Sequence, residues 1–268
     1  MERALFYQLG SQEPLGFEEL QQEVELAEAL GLDAVWCFPA AGEQGDFQGS
    51  VPAIWLSGLS SRTERIRLGW GLPGLLPPTR PPIRIAEQAA SLDIAANGRL
   101  DVAFLPDGLL EGTQEAPWDE GVRMLVEMWA APAFSWTSER FKVMPVDVVP
   151  KPRQRPHPPL SLAGWSPDHA MRAGQGGLGF LDFSGADDET LAVHLAAYTE
   201  ARAGADPDDL VSGSAFAVAG EVGPDAEATR RLSRWEEMGV DRAIVRAGPL
   251  EGGHAEATER IRFLSART

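Results

Sequence analysis

Short apolar runs alternate with amphipathic stretches from one end of the chain to the other. The apolar runs are Ala4–Leu9, Ala34–Phe38, Ile66–Gly71, Leu100–Leu105, Leu160–Gly164, Leu178–Phe183, Ser214–Ala219 and Arg242–Ala247. Most are continuous rather than alternating, as expected of parallel strands buried on both faces. Helical spacing fills the intervals, at Phe17–Leu30, Pro52–Leu59, Pro82–Ala96, Asp119–Trp129, Pro167–Ala173, Glu189–Ala203, Ala226–Met238 and His254–Leu264. The first helix places Leu20, Val24 and Ala27 on one face, with Glu18, Glu19, Glu23, Glu25 and Glu28 over much of the rest and Gly31 as its stop. Strand followed by helix, repeated in this way, predicts an α/β chain with a parallel sheet. An open doubly wound sheet is the alternative. So many units in 268 residues favour closure into one (β/α)8 TIM barrel, a fold that typically needs about 250 residues. The whole chain, 1–268, is therefore expected to be a single barrel domain.

One interval breaks the rhythm. Pro132–Pro159 is rich in proline and carries a short hairpin pattern near Phe134–Val143, so it is expected to be an extended excursion without a helix. Trp36, Phe38, Trp70, Phe104, Phe180 and Phe183 fall on or beside strands, where alternate residues point into the barrel and out to the helices. Most are expected in the core. One or two of them, at the mouth, are placed to wall a flat ring.

Charge and composition narrow the partners. The formal net charge is −17, which disfavours nucleic acid and anionic membranes. No run of 18 apolar residues occurs, so no membrane helix is expected. The first residues lack a basic region followed by an apolar stretch, so no secretory signal is expected and the cytoplasm is the expected location. Cys37 is the single cysteine, which fits a reducing compartment. No neighbour in sequence activates it, so it reads as a buried, inert thiol.

Several residues could carry chemistry, each with a plainer alternative. Gly164-Trp165-Ser166-Pro167-Asp168-His169 follows the fifth strand and opens a helix. A helix N-terminus suits an anion, but Ser166 also suits the cap and Pro167 the first helical position. Asp107 and Asp182, near the mouth ends of strands, are candidate catalytic acids; each also suits a cap or a wet loop. Arg246, at the end of the last strand, is a candidate anion ligand or one half of a surface ion pair. Glu87, Asp93 and Arg99 read as a partly buried ion pair fixing helix to barrel. Gly174–Gly179 is glycine-rich but matches no phosphate-binding fingerprint. It reads as a helix stop. No metal-ligand spacing and no nucleophile elbow is present.

Four segments together resemble the bacterial luciferase-like flavin monooxygenase family. They are Glu28-Ala29-Leu30-Gly31-Leu32-Asp33-Ala34-Val35-Trp36, Arg65-Ile66-Arg67-Leu68-Gly69, Ala86-Glu87-Gln88-Ala89-Ala90-Ser91-Leu92-Asp93 with Asn97-Gly98-Arg99-Leu100, and Phe141 with the proline-rich run 149–159. The resemblance implies a barrel binding FMN, reduced FMN or a deazaflavin at the C-terminal strand ends, with redox or oxygen chemistry on a small organic molecule. It implies a cofactor site containing Gly164, Trp165, Ser166 and His169, with Phe38, Gly71 and Arg246 at the mouth, and pairing as a homodimer or with a related barrel. Within that pairing the stretch Val51–Leu59, including Ile54, Trp55 and Leu56, is the expected contact. The chain departs from the family where Pro39-Ala40-Ala41 replaces a histidine-bearing set, and where Pro106-Asp107 replaces a phosphate-binding arginine. These departures imply weak FMN binding and little aldehyde oxygenation. The alternative they imply is a non-catalytic flavin- or ligand-binding barrel or partner subunit, or one that takes no flavin.

Overall fold

The structure is a computed structural model that describes residues 1–10, 16–41, 47–48, 51–73, 81–105, 118–205, 215–248 and 251–266. Its first half runs β1 (Glu2–Leu9), α1 (Phe17–Ala29), β2 (Ala34–Ala41), β3 (Phe47–Gln48), α2 (Pro52–Ser60), β4 (Arg67–Pro73), α3 (Pro82–Ala95) and β5 (Leu100–Leu105). Then come α4 (Trp118–Ala130), β6 (Phe134–Thr137), β7 (Lys142–Val146), β8 (Leu160–Gly164) and α5 (Pro167–Gln175). The chain continues through β9 (Gly179–Asp182), α6 (Asp188–Ala203), β10 (Phe216–Gly220), α7 (Ala226–Met238), β11 (Arg242–Gly248) and α8 (Gly253–Ser265).

Eight of these strands, all parallel, form the order β1-β11-β10-β9-β8-β5-β4-β2, and β2 pairs back onto β1 to close the barrel. The open-sheet alternative is thereby excluded. Each expected strand is present, although Ser214, the expected start of the seventh, lies outside the described residues. β2 runs three residues past its expected end because β3 pairs with it antiparallel, Ala40 opposite Gln48. The proline-rich excursion carries the hairpin β6–β7, with Trp136 opposite Val143.

Strand alternation divides the apolar residues into two layers. Leu5, Tyr7, Val35, Cys37, Trp70, Phe104 and Phe180 pack outward against the helices. Ala4, Phe6, Trp36, Phe38, Ala103, Leu181, Ala219 and Ile244 fill the barrel. The inner set pairs large rings with very small neighbours. Trp36 and Phe38 on β2 lie over Gly69 and Gly71 on β4, where an added Cβ would overlap each ring. A glycine inside a strand commonly marks such a close approach.

Charged residues plug the opposite end. Asp101 Oδ1 accepts from Arg67 Nε at 3.0 Å, and its other oxygen lies 3.4 Å from Arg242 Nη1. Arg242 Nε also donates to Glu2 at 2.7 Å. Helix ends follow ordinary capping rules. Asp187 and Asp225 cap α6 and α7, and Gly239 ends α7 with φ 89°, a left-handed conformation that glycine adopts without strain.

The expected ion pair among Glu87, Asp93 and Arg99 does not form. Arg99 donates instead to the carbonyls of Ala96, Ile66, Ser60 and Thr63. Asp93 accepts from Gln154 N and Nε2 at 2.9 and 2.7 Å. Glu87 is paired with Arg84 one turn away on its own helix. The turns around Arg99 leave backbone carbonyls without partners, and a guanidinium can serve several of them at once. Sequence spacing alone does not show those carbonyls.

Candidate functional site

At the C-terminal strand ends the barrel interior becomes aromatic. Phe6, Phe38 and Phe183 meet edge to face, with centroid separations of 6.3 Å for Phe6–Phe38, 5.6 Å for Phe6–Phe183 and 5.0 Å for Phe38–Phe183. Beneath them Trp36 stacks on Phe38 at 5.9 Å, the planes 16° apart. Such pairs are each worth about 0.5–1.5 kcal/mol beyond the area they bury. The result is an apolar wall of the kind that receives a flat ring. Of the six aromatic residues singled out in the sequence, Trp36 and Phe38 pack inside and Phe183 against that cluster. Trp70, Phe104 and Phe180 belong to the outer layer.

One edge of the mouth is built by β8 and the start of α5. Ser166 caps α5, its Oγ accepting from His169 N at 3.3 Å. His169 Nδ1 lies 3.0 Å from Ser166 Oγ and accepts from Trp165 N at 3.4 Å. Acceptance from Trp165 N–H assigns the ring proton to Nε2, so the Ser166 hydroxyl donates to Nδ1. To donate to an anion instead, that hydroxyl must turn away from His169. Trp165 meets the His169 ring edge to face at 4.9 Å. Gly164 makes this packing possible, since a Cβ there would press on His169 Cβ at 2.5 Å. Pro167 lacks an N–H, and Asp168 puts negative charge in the first turn, so the helix end is a modest anion site.

Across the mouth, Arg246 on β11 donates from Nη1 to Glu221 Oε1 at 2.6 Å. The expected choice between anion ligand and ion pair thus resolves in this structure to an ion pair at the mouth. Glu221 is absent from the sequence-based candidates, although its place one residue past β10, opposite Arg246, follows from the register of Gly220 with Val245.

Asp182 is not at the mouth surface. It is buried and turned toward α6, where Oδ2 meets His194 Nδ1 at 2.6 Å and Oδ1 accepts from Ser184 N at 2.8 Å. It pins α6 to β9, its carboxylate engaged by His194 and Ser184. Asp107 lies outside the described residues. Cys37 is buried in the outer layer, and burial pushes its thiol up to about 12. That agrees with the inert reading.

A second polar cluster was not foreseen. Buried Glu23 on α1 accepts from Tyr7 Oη at 2.8 Å and meets His254 Nδ1 at 2.8 Å. Burial raises the Glu23 carboxyl, opposed by the bonds from Tyr7 and His254. The cluster lies in the outer layer and ties β1, α1 and α8 together.

Among the described residues no group of histidine, cysteine and acidic side chains is arranged to hold a metal, and no helix is long and apolar enough to cross a membrane.

Comparison with known proteins bears on this site. The sequence profile of the luciferase-like monooxygenases matches residues 4–254. The oxygenase component of a flavin-dependent trigonelline monooxygenase from Acinetobacter baylyi is 25% identical over 177 residues, covering 60% of this chain and 47% of that protein. An F420-dependent glucose-6-phosphate dehydrogenase from Amycolatopsis mediterranei is 26% identical over 195 residues, covering 65% of this chain and 56% of that protein. The chain thus spans about half the length of these relatives. Among solved structures, a monooxygenase from Streptomyces bottropensis superimposes with a TM-score of 0.75 at 22% identity, covering 99% of this chain and 98% of that one.

Proposed function

The chain belongs to the luciferase-like monooxygenase family, and from that premise we propose that it is a flavin-dependent oxidoreductase, a single barrel domain acting on a small organic molecule at the barrel mouth. The observation that carries this reading is the aromatic wall of Phe6, Phe38 and Phe183 beside the capped start of α5. A flat ring of flavin or deazaflavin size fits that wall, and its phosphate end fits the Ser166–His169 turn. When bound, such a group supplies the electron pair, and a reduced flavin also supplies reactivity toward oxygen. The chain's part is to orient the ring, exclude water with Phe38, Phe183 and Trp165, and hold the phosphate end at Ser166. Both flavin and F420 chemistry occur among its relatives, and FMN is the proposed occupant.

The phosphate end is weak. The Ser166 hydroxyl is engaged by His169, Pro167 offers no N–H, and Asp168 adds a charge of the wrong sign. Each missing charge-assisted contact is worth about 1.5–3 kcal/mol, or roughly ten- to a hundredfold in affinity. Ala40 and Ala41 offer no base for the proton transfers that aldehyde oxygenation requires. Those two alanines favour a second reading, a barrel that binds flavin or another ligand without turning over.

Titration of FMN and of the deazaflavin into purified protein, followed by oxygen uptake with reduced FMN and an aldehyde, separates the readings. We expect FMN to bind with weak, micromolar-range affinity and aldehyde-dependent uptake to be absent. Submicromolar affinity with rapid aldehyde turnover would overturn the account of the departures. No saturable binding of either cofactor would overturn the flavin reading.

We also propose pairing with a second copy or a related barrel through α2 and α3. A groove of about 600 Å³ between them is lined by Val51, Ala53, Ile54, Ser57, Glu87 and Gln88, among others. Ile54 is 71% exposed, whereas Leu56, expected in the same contact stretch, is buried in the barrel's own core. Light scattering of the parent protein and of Ile54→Glu tests the pairing. A parent already monomeric at micromolar concentration would refute it. The proposed location is the cytoplasm.

A further inference from the structure

Two buried donors in the barrel have no hydrogen-bond acceptor among the described residues, Nε of Arg246 and Nε1 of Trp36. They share one layer. The β1 register sets Phe6 opposite Trp36 on one side and opposite Arg246 on the other. Phe6 and Trp36 belong to the interior cluster, as does Ile244, two residues before Arg246. Period-two alternation therefore turns Arg246 to the same side. This layer is rich in donors and poor in acceptors, and a buried donor left unmatched bears its full desolvation penalty. A ligand with an electron-rich oxygen answers that imbalance.

Among the described residues Arg246 has one side-chain acceptor, and it is easily displaced. Its Nη1 is bonded to Glu221, whose side chain is 64% exposed. An ion pair at that exposure is screened by water. The Arg246 backbone is fixed from behind, its carbonyl accepting from Arg260 Nη1 at 2.9 Å. A guanidinium presents parallel N–H groups matching the two oxygens of a carboxylate. Beside it, Phe6 and Phe183 form the edge-to-face wall.

We propose that Arg246 determines specificity for a planar aromatic carboxylate. The carboxylate takes the guanidinium in place of Glu221, and the substrate ring faces the aromatic wall directly, or across the flavin ring when flavin is bound. A monoanion suits the site better than a dianion, because one arginine faces a chain of net charge −17. Arg246 is also remote from the phosphate end of the mouth, since β9 and β10 separate β11 from β8. This inference names the substrate class of the site proposed above and rests on the mouth being that site, whichever flavin it takes.

The test uses benzoate and its neutral isostere benzamide, titrated by calorimetry into the full chain without flavin and with saturating FMN. Arg246→Gln, Arg246→Lys and Glu221→Gln are titrated alongside, with thermal melts to confirm folding. We expect benzoate to bind at least tenfold more tightly than benzamide. Arg246→Gln should erase that preference and Arg246→Lys should keep part of it. Glu221→Gln, at an exposed position, should tighten benzoate several-fold and leave benzamide unchanged. Equal affinities in the parent, absence of benzoate binding, or a preference surviving in Arg246→Gln would each overturn the proposal. A benzoate preference in protein that takes no flavin would sink the flavin reading and leave this one standing. FMN binding without the preference would sink this one alone.

Discussion

The Phe38 ring occupies the space that a side chain on Gly71 would fill. The mouth wall therefore depends on a glycine that carries no chemistry. Gly71→Ala forces the ring off its seat in a packed interior, and overpacking of this kind costs about 1–3 kcal/mol. We expect a lower urea midpoint with an unchanged slope. In a Phe38→Ala background the same change should cost clearly less, because the overlap is gone. Equal costs in the two backgrounds would show that Phe38 is not what Gly71 accommodates.

Asp182 accepts from three groups, Ser184 N, Ser184 Oγ and His194. Asp182→Ala leaves those buried or half-buried groups without their acceptor, at about 1–3 kcal/mol for each unsatisfied group. The variant should lose roughly 3 kcal/mol or more in chemical denaturation. Fractions that remain folded should bind FMN as the parent does. A stable protein with altered binding would make Asp182 part of the site after all.

Glu28 carries a pH-dependent share of stability. Partial burial opposes its ionisation, but N–H groups of Ile66, Arg65 and Glu64 hold the carboxyl below its ordinary range. A depressed folded value means that the contribution is complete above the unfolded pKa, about 4.3. It disappears as pH falls through the lower folded value. Glu28→Gln should therefore be less stable than the parent by about 1–2 kcal/mol near neutrality, a figure reduced for partial exposure. The gap should shrink on acidification below about pH 4. A gap that stays constant across the titration would refute this.

Cys37 should resist alkylation in the folded chain. Its thiol is buried, and burial raises it to about 12, so little thiolate forms at neutral pH. Modification by a maleimide should follow global unfolding, the logarithm of its rate rising linearly with added denaturant. Rapid labelling of native protein would contradict the burial.

The barrel was legible because its strands are buried on both faces and read as unbroken apolar runs, as in Leu100–Leu105. The helices were legible from spacing and from proline and glycine at their ends. The site was less so. The positions of Phe38 on a strand end and of Ser166 and His169 at a helix start are legible, since strand ends and helix starts are visible locally. The partner of Arg246 was not, because Glu221 meets it through inter-strand register. Tyr7, Glu23 and His254 converge from three distant elements, and Glu23 looked like one of several solvent-facing acids on its helix. The carbonyl partners of Arg99 are not legible, because carbonyls left open by turns have no sequence signature.

The charged plug at the foot of the barrel has a kinetic consequence. Arg67, Asp101, Arg242 and Glu2 tie the N-terminal strand ends together, and above them Trp36, with its stacked neighbour Phe38, packs the interior. The barrel is thus a blind vessel rather than a conduit. For the oxidoreductase proposed above, whatever enters at the rim leaves by the rim, so a product has to clear the opening before the next molecule is admitted. Accumulated product should accordingly compete with fresh substrate for the free protein, a pattern that steady-state inhibition kinetics would display directly.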